Sequence, residues 1–139
     1  MKLTTAEIFT IIWNKVKGSI LAEKIPVMYA DHFPQQTSLS SLHNEFIVMT
    51  SLSNVSADTQ IAVVNVNIYV LDATPTINGE EQRYPDRKRL AELTKIAYDV
   101  LKVYPTDERY FFDVSEETIL SEEDIPYSFS NIKVQLKNY

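Results

Sequence analysis

The sequence predicts an α+β fold: one mostly antiparallel β-sheet with two main helices packed on it, plus a long loop or hairpin arm. Three patterns carry this. Within residues 60–72, Val64, Val66, Ile68 and Val70 alternate with Asn65, Asn67, Tyr69 and Leu71, the period of two of a strand with one aliphatic and one mixed row. Two stretches, one near the amino terminus and one after residue 86, carry apolar side chains at the three-and-four spacing of helices packed on a sheet. The other apolar runs are short, are separated by turn residues and belong to further strands of the same layer.

At the amino terminus, Thr4 and Glu7 have capping-box spacing and Leu3 and Ile8 flank them as a hydrophobic staple, so a helix begins at about Thr5. Its apolar face is Phe9, Ile12, Trp13 and Val16, extending towards Ile20. Gly18 suits a carboxy-terminal cap after the cations Lys15 and Lys17, and a continuation to Glu23 is equally open. Residues 25–31 read as a short strand in which Pro26 cannot donate to a ladder, which places it on an edge or at the strand's first position. Residues 34–44, rich in Gln, Ser and Thr, form a polar loop. Order resumes at Glu45 with a strand over 46–52, and the small polar residues 53–59 turn the chain into the long strand, completing a hairpin. At about 3.3 Å per residue the long strand spans on the order of 40 Å, so part of it is expected to project beyond its sheet and meet a partner.

Residues 73–85 hold Thr-Pro-Thr and Asn78-Gly79, both turn signals, with little apolar content, and read as the long loop or arm. Asp86 then caps a second helix with the buried stripe Leu90, Leu93, Ala97, Val100, Leu101 and Tyr104, stopped by Pro105. Closing strands occupy 109–114 and 129–136, where Ile132, Val134 and Leu136 alternate with Lys133, Gln135 and Lys137. Between them residues 118–120 suit a short strand before the acidic turn Glu122-Glu123-Asp124. Gly18 and Gly79, the two glycines, mark positions of positive φ or a tight bend.

A length of 139 residues with 45% hydrophobic content fits one domain, 1–139, without repeat or linker. The lack of cysteine excludes disulfides, thiolate metal sites and cysteine nucleophiles, leaving packing and self-assembly as sources of stability. No apolar stretch approaches the roughly 18 residues of a membrane span, and the first residues enter an amphipathic helix instead of a signal-peptide core. A soluble, unexported protein is expected. The formal charge of −6 argues against avid nucleic-acid binding by the whole surface, which needs clustered Lys and Arg.

Catalytic chemistry finds little footing. His32 and His43 lie in or beside the polar loop, whereas a zinc site needs three or four converging ligands, so they read as solvated. Two isolated glycines spell neither a nucleophile elbow nor a phosphate-cradling loop. Glu116, Glu117, Glu122, Glu123 and Asp124 would serve as catalytic carboxylates or a cation site only beside an apolar pocket, and a hydrated surface is the favoured reading. Trp13 and Phe9 fall on the helical stripe and read as core. No catalytic, metal-binding or cofactor-binding residue is assigned. Charge is more informative: Arg83, Arg87, Lys88 and Arg89 face one acidic residue, Asp86, whereas residues 107–124 hold eight acidic residues opposed by Arg109 alone. Either these are two unrelated solvated faces, or the basic end of one copy meets the acidic segment of the next in a head-to-tail ring, which closes when the rotation between copies divides a full turn.

The segment Val64-Asn65-Val66-Asn67-Ile68-Tyr69-Val70, the Asn-Gly loop after it, the helix start at Arg87-Lys88-Arg89-Leu90 and the late Ser130-Asn131-Ile132-Lys133-Val134 strand resemble small tail proteins of long-tailed bacteriophages. The likeness is to the tail-terminator and head-to-tail joining (neck) group. The amino-terminal helix, the Ile25-Pro26-Val27-Met28-Tyr29 strand and the strand from Glu45 follow that group's order, so the resemblance covers nearly the whole chain. It implies a structural virion protein with no enzymatic activity and no cofactor. Copies would form a ring, commonly a hexamer, that ends the tail tube and joins it to the head connector. The implied partners are further copies, the tail tube protein and a head-side connector protein. DNA only passes through the lumen, where an acidic balance disfavours sticking, and no membrane is involved. The implied location is the tail or neck of the virion, with assembly in the host cytoplasm. The ring interface expected from these readings is Val64, Val66, Ile68 and Val70, pairing as an exposed strand with a neighbour's backbone, together with Arg83, Arg87, Lys88 and Arg89 against Glu116, Glu117, Glu122, Glu123 and Asp124. The alternative is a small adaptor or binding module that recognises an extended peptide by strand addition.

Overall fold

The alternating segment becomes strand β3 (Gln60–Leu71), and it lies in the middle of a five-stranded sheet. In the computed structural model, which describes residues 1–34, 42–104 and 109–139, β3 is flanked by β2 (Glu45–Val55) and β7 (Tyr127–Asn138), both antiparallel to it. Strand β1 (Met28–Ala30) runs parallel to β2 on one edge, and β6 (Tyr110–Ser121) runs antiparallel to β7 on the other. The order is thus β1-β2-β3-β7-β6, mostly antiparallel with one parallel pair. The strand expected over 25–31 is on an edge, but it is shorter, and Pro26 precedes it instead of occupying its first position.

The long strand does not project. It is paired with β7 from Gln60↔Asn138 to Leu71↔Tyr127 and with β2 over nearly the same length. The reason is that its neighbours are as long as it is, 11 or 12 residues each. On the β2 side the pattern hid this because an irregularity between Ser51 and Ser53 interrupts the alternation of that strand, as an extra residue in one strand does; a second one, between Val114 and Glu116, likewise interrupts β6 beyond β7. Residues 118–120, expected as a separate strand, belong to β6.

Helix α1 (Thr5–Lys17) starts as its sequence dictates. Thr4 Oγ1 accepts from the Glu7 N–H at 3.1 Å, and Glu7 Oε1 accepts from the Thr4 N–H at 3.0 Å. Its buried face is Ile8, Ile12 and Val16. Phe9 and Trp13, expected at the centre of that face, sit half-buried beside it and stack on each other at 5.6 Å. Both lines satisfy helical spacing, and the β-branched line is the one narrow enough to lie against the sheet. Gly18 ends α1 at φ −88°, without left-handed backbone. Ser19 then caps a short helix α2 (Ile20–Lys24), which buries Leu21 and leaves Ile20 exposed.

After β3, residues 73–84 form a hairpin of two-residue strands, β4 (Thr76–Ile77) and β5 (Glu80–Glu81), with a bridge between Ala73 and Tyr84 at its base. Asn78 and Gly79 both have positive φ, the backbone that a tight two-residue hairpin turn requires. Asp86 caps helix α3 (Arg87–Val100) by accepting from the Arg89 N–H at 3.2 Å. Leu90, Leu93, Ala97, Val100 and Leu101 are buried as expected, and Thr94 joins them, its hydroxyl bonded to Ser130 at 2.8 Å. Tyr104 is exposed instead: the helix ends at Val100, so its ring leaves the stripe, stacks on Phe111 and donates to Asp113. Pro105, the expected stop, lies outside the described residues.

The three helices cover one face of the sheet. On that face the aliphatic row of β3 meets Ile47 and Met49 of β2 and Ile132, Val134 and Leu136 of β7. The other face carries a ladder of rings, Phe46, Tyr69 and Phe129, stacked at 4.7 and 4.6 Å between centroids. One end of the core is closed by amides. The buried Gln60 side chain accepts from the Leu3 N–H and the Asn138 amide, and donates to the Leu3 carbonyl and Asn54. No described helix is long and apolar enough to cross a membrane.

Two substitutions test this account. Val66→Asp places an unpaired charge in the fully buried row, so the protein is expected not to fold, as read by circular dichroism. Gln60→Leu keeps the volume but strands the amide partners. It should lower stability by roughly 2–4 kcal/mol in urea unfolding and speed hydrogen exchange at Leu3.

Candidate assembly surfaces

The four β3 residues expected at the ring interface are not on a surface. Val64, Val66, Ile68 and Val70 are buried under the helices, and the main chain of β3 is bonded to β2 on one side and β7 on the other. A strand paired on both sides has no free main-chain groups to offer a neighbour, so the expected strand interface is corrected: this row is core. The chain order already held a hint, since the hairpin partner at 46–52 and the alternating strand at 129–136 both needed a long neighbour.

The basic group divides. Arg83 sits at the base of the β4–β5 hairpin, its Nε 3.2 Å from the buried Asp72 carboxylate, and its Nη atoms donate to the Glu122 and Ile125 carbonyls. Asp72 also accepts from Ser128 at 2.6 Å. Arg83 therefore ties the hairpin to the turn between β6 and β7 within one chain. Arg89 grips Glu45 with two bonds, at 2.6 and 2.9 Å, and reaches Glu92 at 3.3 Å. The hydrogen bonds to Glu45 push its pKa further above the usual guanidinium value, and the fork geometry is the strong one for arginine. Arg87 and Lys88 are exposed in the first turn of α3 and make no salt bridge among the described residues.

The acidic group divides as well. Glu116 and Glu117 lie on β6, with Glu116 3.8 Å from Lys133 across the ladder and Glu117 on the helix-covered side. Glu123 and Asp124 are exposed on the β6–β7 turn, whereas Glu122 accepts from the Tyr69 hydroxyl at 2.7 Å. Burial first, then the Glu122 carboxylate, raise the Tyr69 phenol well above its usual value of 10.0. Asp107 and Glu108, counted in the acidic stretch, lie outside the described residues. His32 and His43 are exposed, and no cluster of three or more potential metal ligands occurs among the described residues.

Two features that sequence reasoning missed are more open to a partner. The first is the sheet face away from the helices, where beyond the ring ladder lie Asn65, Asn67, Lys133 and Gln135, all half-buried, with Asn131 bonded to Asn67 at 2.6 Å. The second is the outer edge of β6. Residues 114–121 have no strand partner on that side among the described residues, and Ile119 and Leu120 are exposed. A groove between this edge and α3 is lined by Leu90, Ala91, Tyr98, Glu117 and Ile119. The exposed Thr118-Ile119-Leu120 run beyond the double glutamate was the available signal. The chain matches no protein-family model, and no curated protein gives a match to it.

The polar contacts yield two expected outcomes. Arg83→Gln leaves the buried Asp72 carboxylate without its cation, so a loss of roughly 1–3 kcal/mol and faster hydrogen exchange across residues 73–84 are expected. For Tyr69, the unfolded phenol ionises near pH 10 while the folded one stays protonated, so its contribution is complete below about pH 10 and is lost as pH rises further. Tyr69→Phe should thus weaken the protein at pH 7 and flatten its loss of stability between about pH 10 and 11.5, measured by urea unfolding at each pH.

Proposed function

We propose that the chain is a structural, non-enzymatic protein that works as a ring of copies at the end of a bacteriophage tail tube, ending the tail and joining it to the head connector. The outer edge of β6, which has no strand partner at residues 114–121 among the described residues, is the observation that carries this reading. Folded proteins normally cover or shorten such an edge, and this one is long and keeps, beside its two glutamates, two exposed aliphatic side chains next to an apolar groove. The sequence resemblance supplies the virion setting, the tail tube and head connector as neighbours, and a hexamer as the expected ring. Further support comes from the half-buried Asn65, Asn67, Lys133 and Gln135 beyond the ring ladder on the face opposite the helices, a polar patch that suits a wall between neighbours more than a substrate cleft.

The charge pattern now supports a narrower version of the head-to-tail idea. With Arg83 and Arg89 engaged inside the chain, Arg87 and Lys88 are the cations left to meet a neighbour's Glu123 and Asp124. A second reading rests on the same edge: an adaptor that binds an extended peptide by strand addition.

Native mass spectrometry and sedimentation velocity separate the two. The ring reading expects one discrete closed species, six copies in the first instance, seen as annuli in negative stain. A strict monomer at high concentration that takes up extended peptides would overturn it in favour of the adaptor.

A further inference from the structure

We infer that the contact between neighbouring copies is a strand-to-strand joint, β6 of one copy against β1 of the next. This rests on the self-assembly reading and goes beyond it by naming the two edges.

Three observations lead to the joint. The first is direction. Strand β1 is parallel to β2, and each following step, β2 to β3, β3 to β7 and β7 to β6, is antiparallel. The two outer strands therefore run in opposite senses. A second copy, generated by rotation about an axis along the strands, brings its β1 antiparallel to the first copy's β6, and the sheet continues without inverting the molecule.

The second is level. The pairing register puts Ile119, Ser130, Ile68, Ile47 and Met28 in one row across the sheet. The adjacent row runs from Glu117 through Ile132, Val66 and Met49 to Ala30. The free stretch of β6 and the three residues of β1 thus leave the sheet at the same height. Contacts that add no rise from copy to copy close into rings, whereas a rise gives open filaments.

The third is what flanks each edge on the helix side. Beside β6, Tyr98 and Ile119 are exposed along the α3 groove. Beside β1, a second groove is lined by Trp13, Ala22, Pro26 and Met28, with Lys17 at its rim. Joining the edges runs these grooves together and covers both apolar rims. Charge agrees on the helix side: Lys15, Lys17 and Lys24 are exposed on α1 and α2, and Glu117 is exposed on the helix side of β6, although Lys95 shares the β6 rim and Glu116, on the other face, already reaches Lys133. The occupant of each groove is a second copy of this chain, whose opposite edge has the matching direction, level and charge.

The lack of cysteine makes the test clean. Ala30 and Glu117 are both exposed and end the same register row, so Ala30→Cys and Glu117→Cys leave the core untouched and, in the joint, come within disulfide reach. Mixing the two single variants under mild oxidation is expected to give a reducible heterodimer. The double variant is expected to give a reducible ladder that ends at the ring size seen by native mass spectrometry. Ile119→Lys should abolish the ring while leaving the monomer's melting temperature unchanged. Disulfides formed by the Glu117→Cys variant alone would overturn the joint in favour of a two-fold β6 to β6 contact. Intact rings without heterodimer cross-links would also overturn it while leaving the ring reading standing; neither rings nor cross-links would end both.

Discussion

Everything in this architecture depends on β3 having two unlike faces. One side of the strand offers Val64, Val66, Ile68 and Val70 to the helices, and each such side chain contributes roughly 1.5–3 kcal/mol when fully buried. A slip of one residue against β2 or β7 would turn Asn65 and Asn67 into the core and expose this row. The register is therefore held tightly. It in turn forces all three helices onto one face and leaves the opposite face to aromatic and amide side chains. Because β3 must be covered on both flanks to use its whole length, the outer strands among the described residues are β1 and β6.

Local signals in the sequence were legible wherever one residue decides one geometry. The Thr4 and Glu7 box, the Asp86 cap, the Asn78-Gly79 turn and the alternation at 132–136 all stand where their chemistry puts them. What one chain could not reveal was neighbourhood. Alternation shows which side chains share a face and says nothing of which strand lies beside which, so β3 read as an exposed strand although it is central. The same limit rotated α1 by one residue, since Ile8 and Phe9 both begin rows at helical spacing. Extra residues near Leu52 and Ser115 broke the period that would have revealed the full lengths of β2 and β6.

Charge was legible as composition and not as partnership. Arg83 and Arg89 belong to a basic run in sequence, yet in space one serves Asp72 and the other serves Glu45, each a residue of the sheet or its exit. A buried carboxylate such as Asp72 needs a cation wherever the fold can supply one, and the hairpin at 73–84 delivers it. Such internal use engages two of the four cations within the chain, so in the proposed assembly the electrostatic share would fall to residues with no salt bridge among those described, Arg87 and Lys88 on α3 and the lysines of α1 and α2.

An open edge is a hazard unless it is selective. Strand β6 carries the usual deterrents to indiscriminate pairing, an irregularity at Ser115 and two glutamates on its exposed half. Those same features restrict what can pair with it. A partner strand has to run antiparallel, has to bring a cation rather than a carboxylate to Glu117, and has to tolerate Ile119 on the helix side. A second β6 meets the first condition only through a two-fold axis, and then sets glutamate against glutamate. In the proposed joint β1 meets all three, with Met28 level with Ile119 and Lys17 at the rim of the groove beside it, and its three-residue length would limit how far a wrong register can extend. In the proposed joint the acidic half of β6 would act as a filter on the edge, and the exposed Ile119 and Leu120 would supply the attraction once the filter is passed.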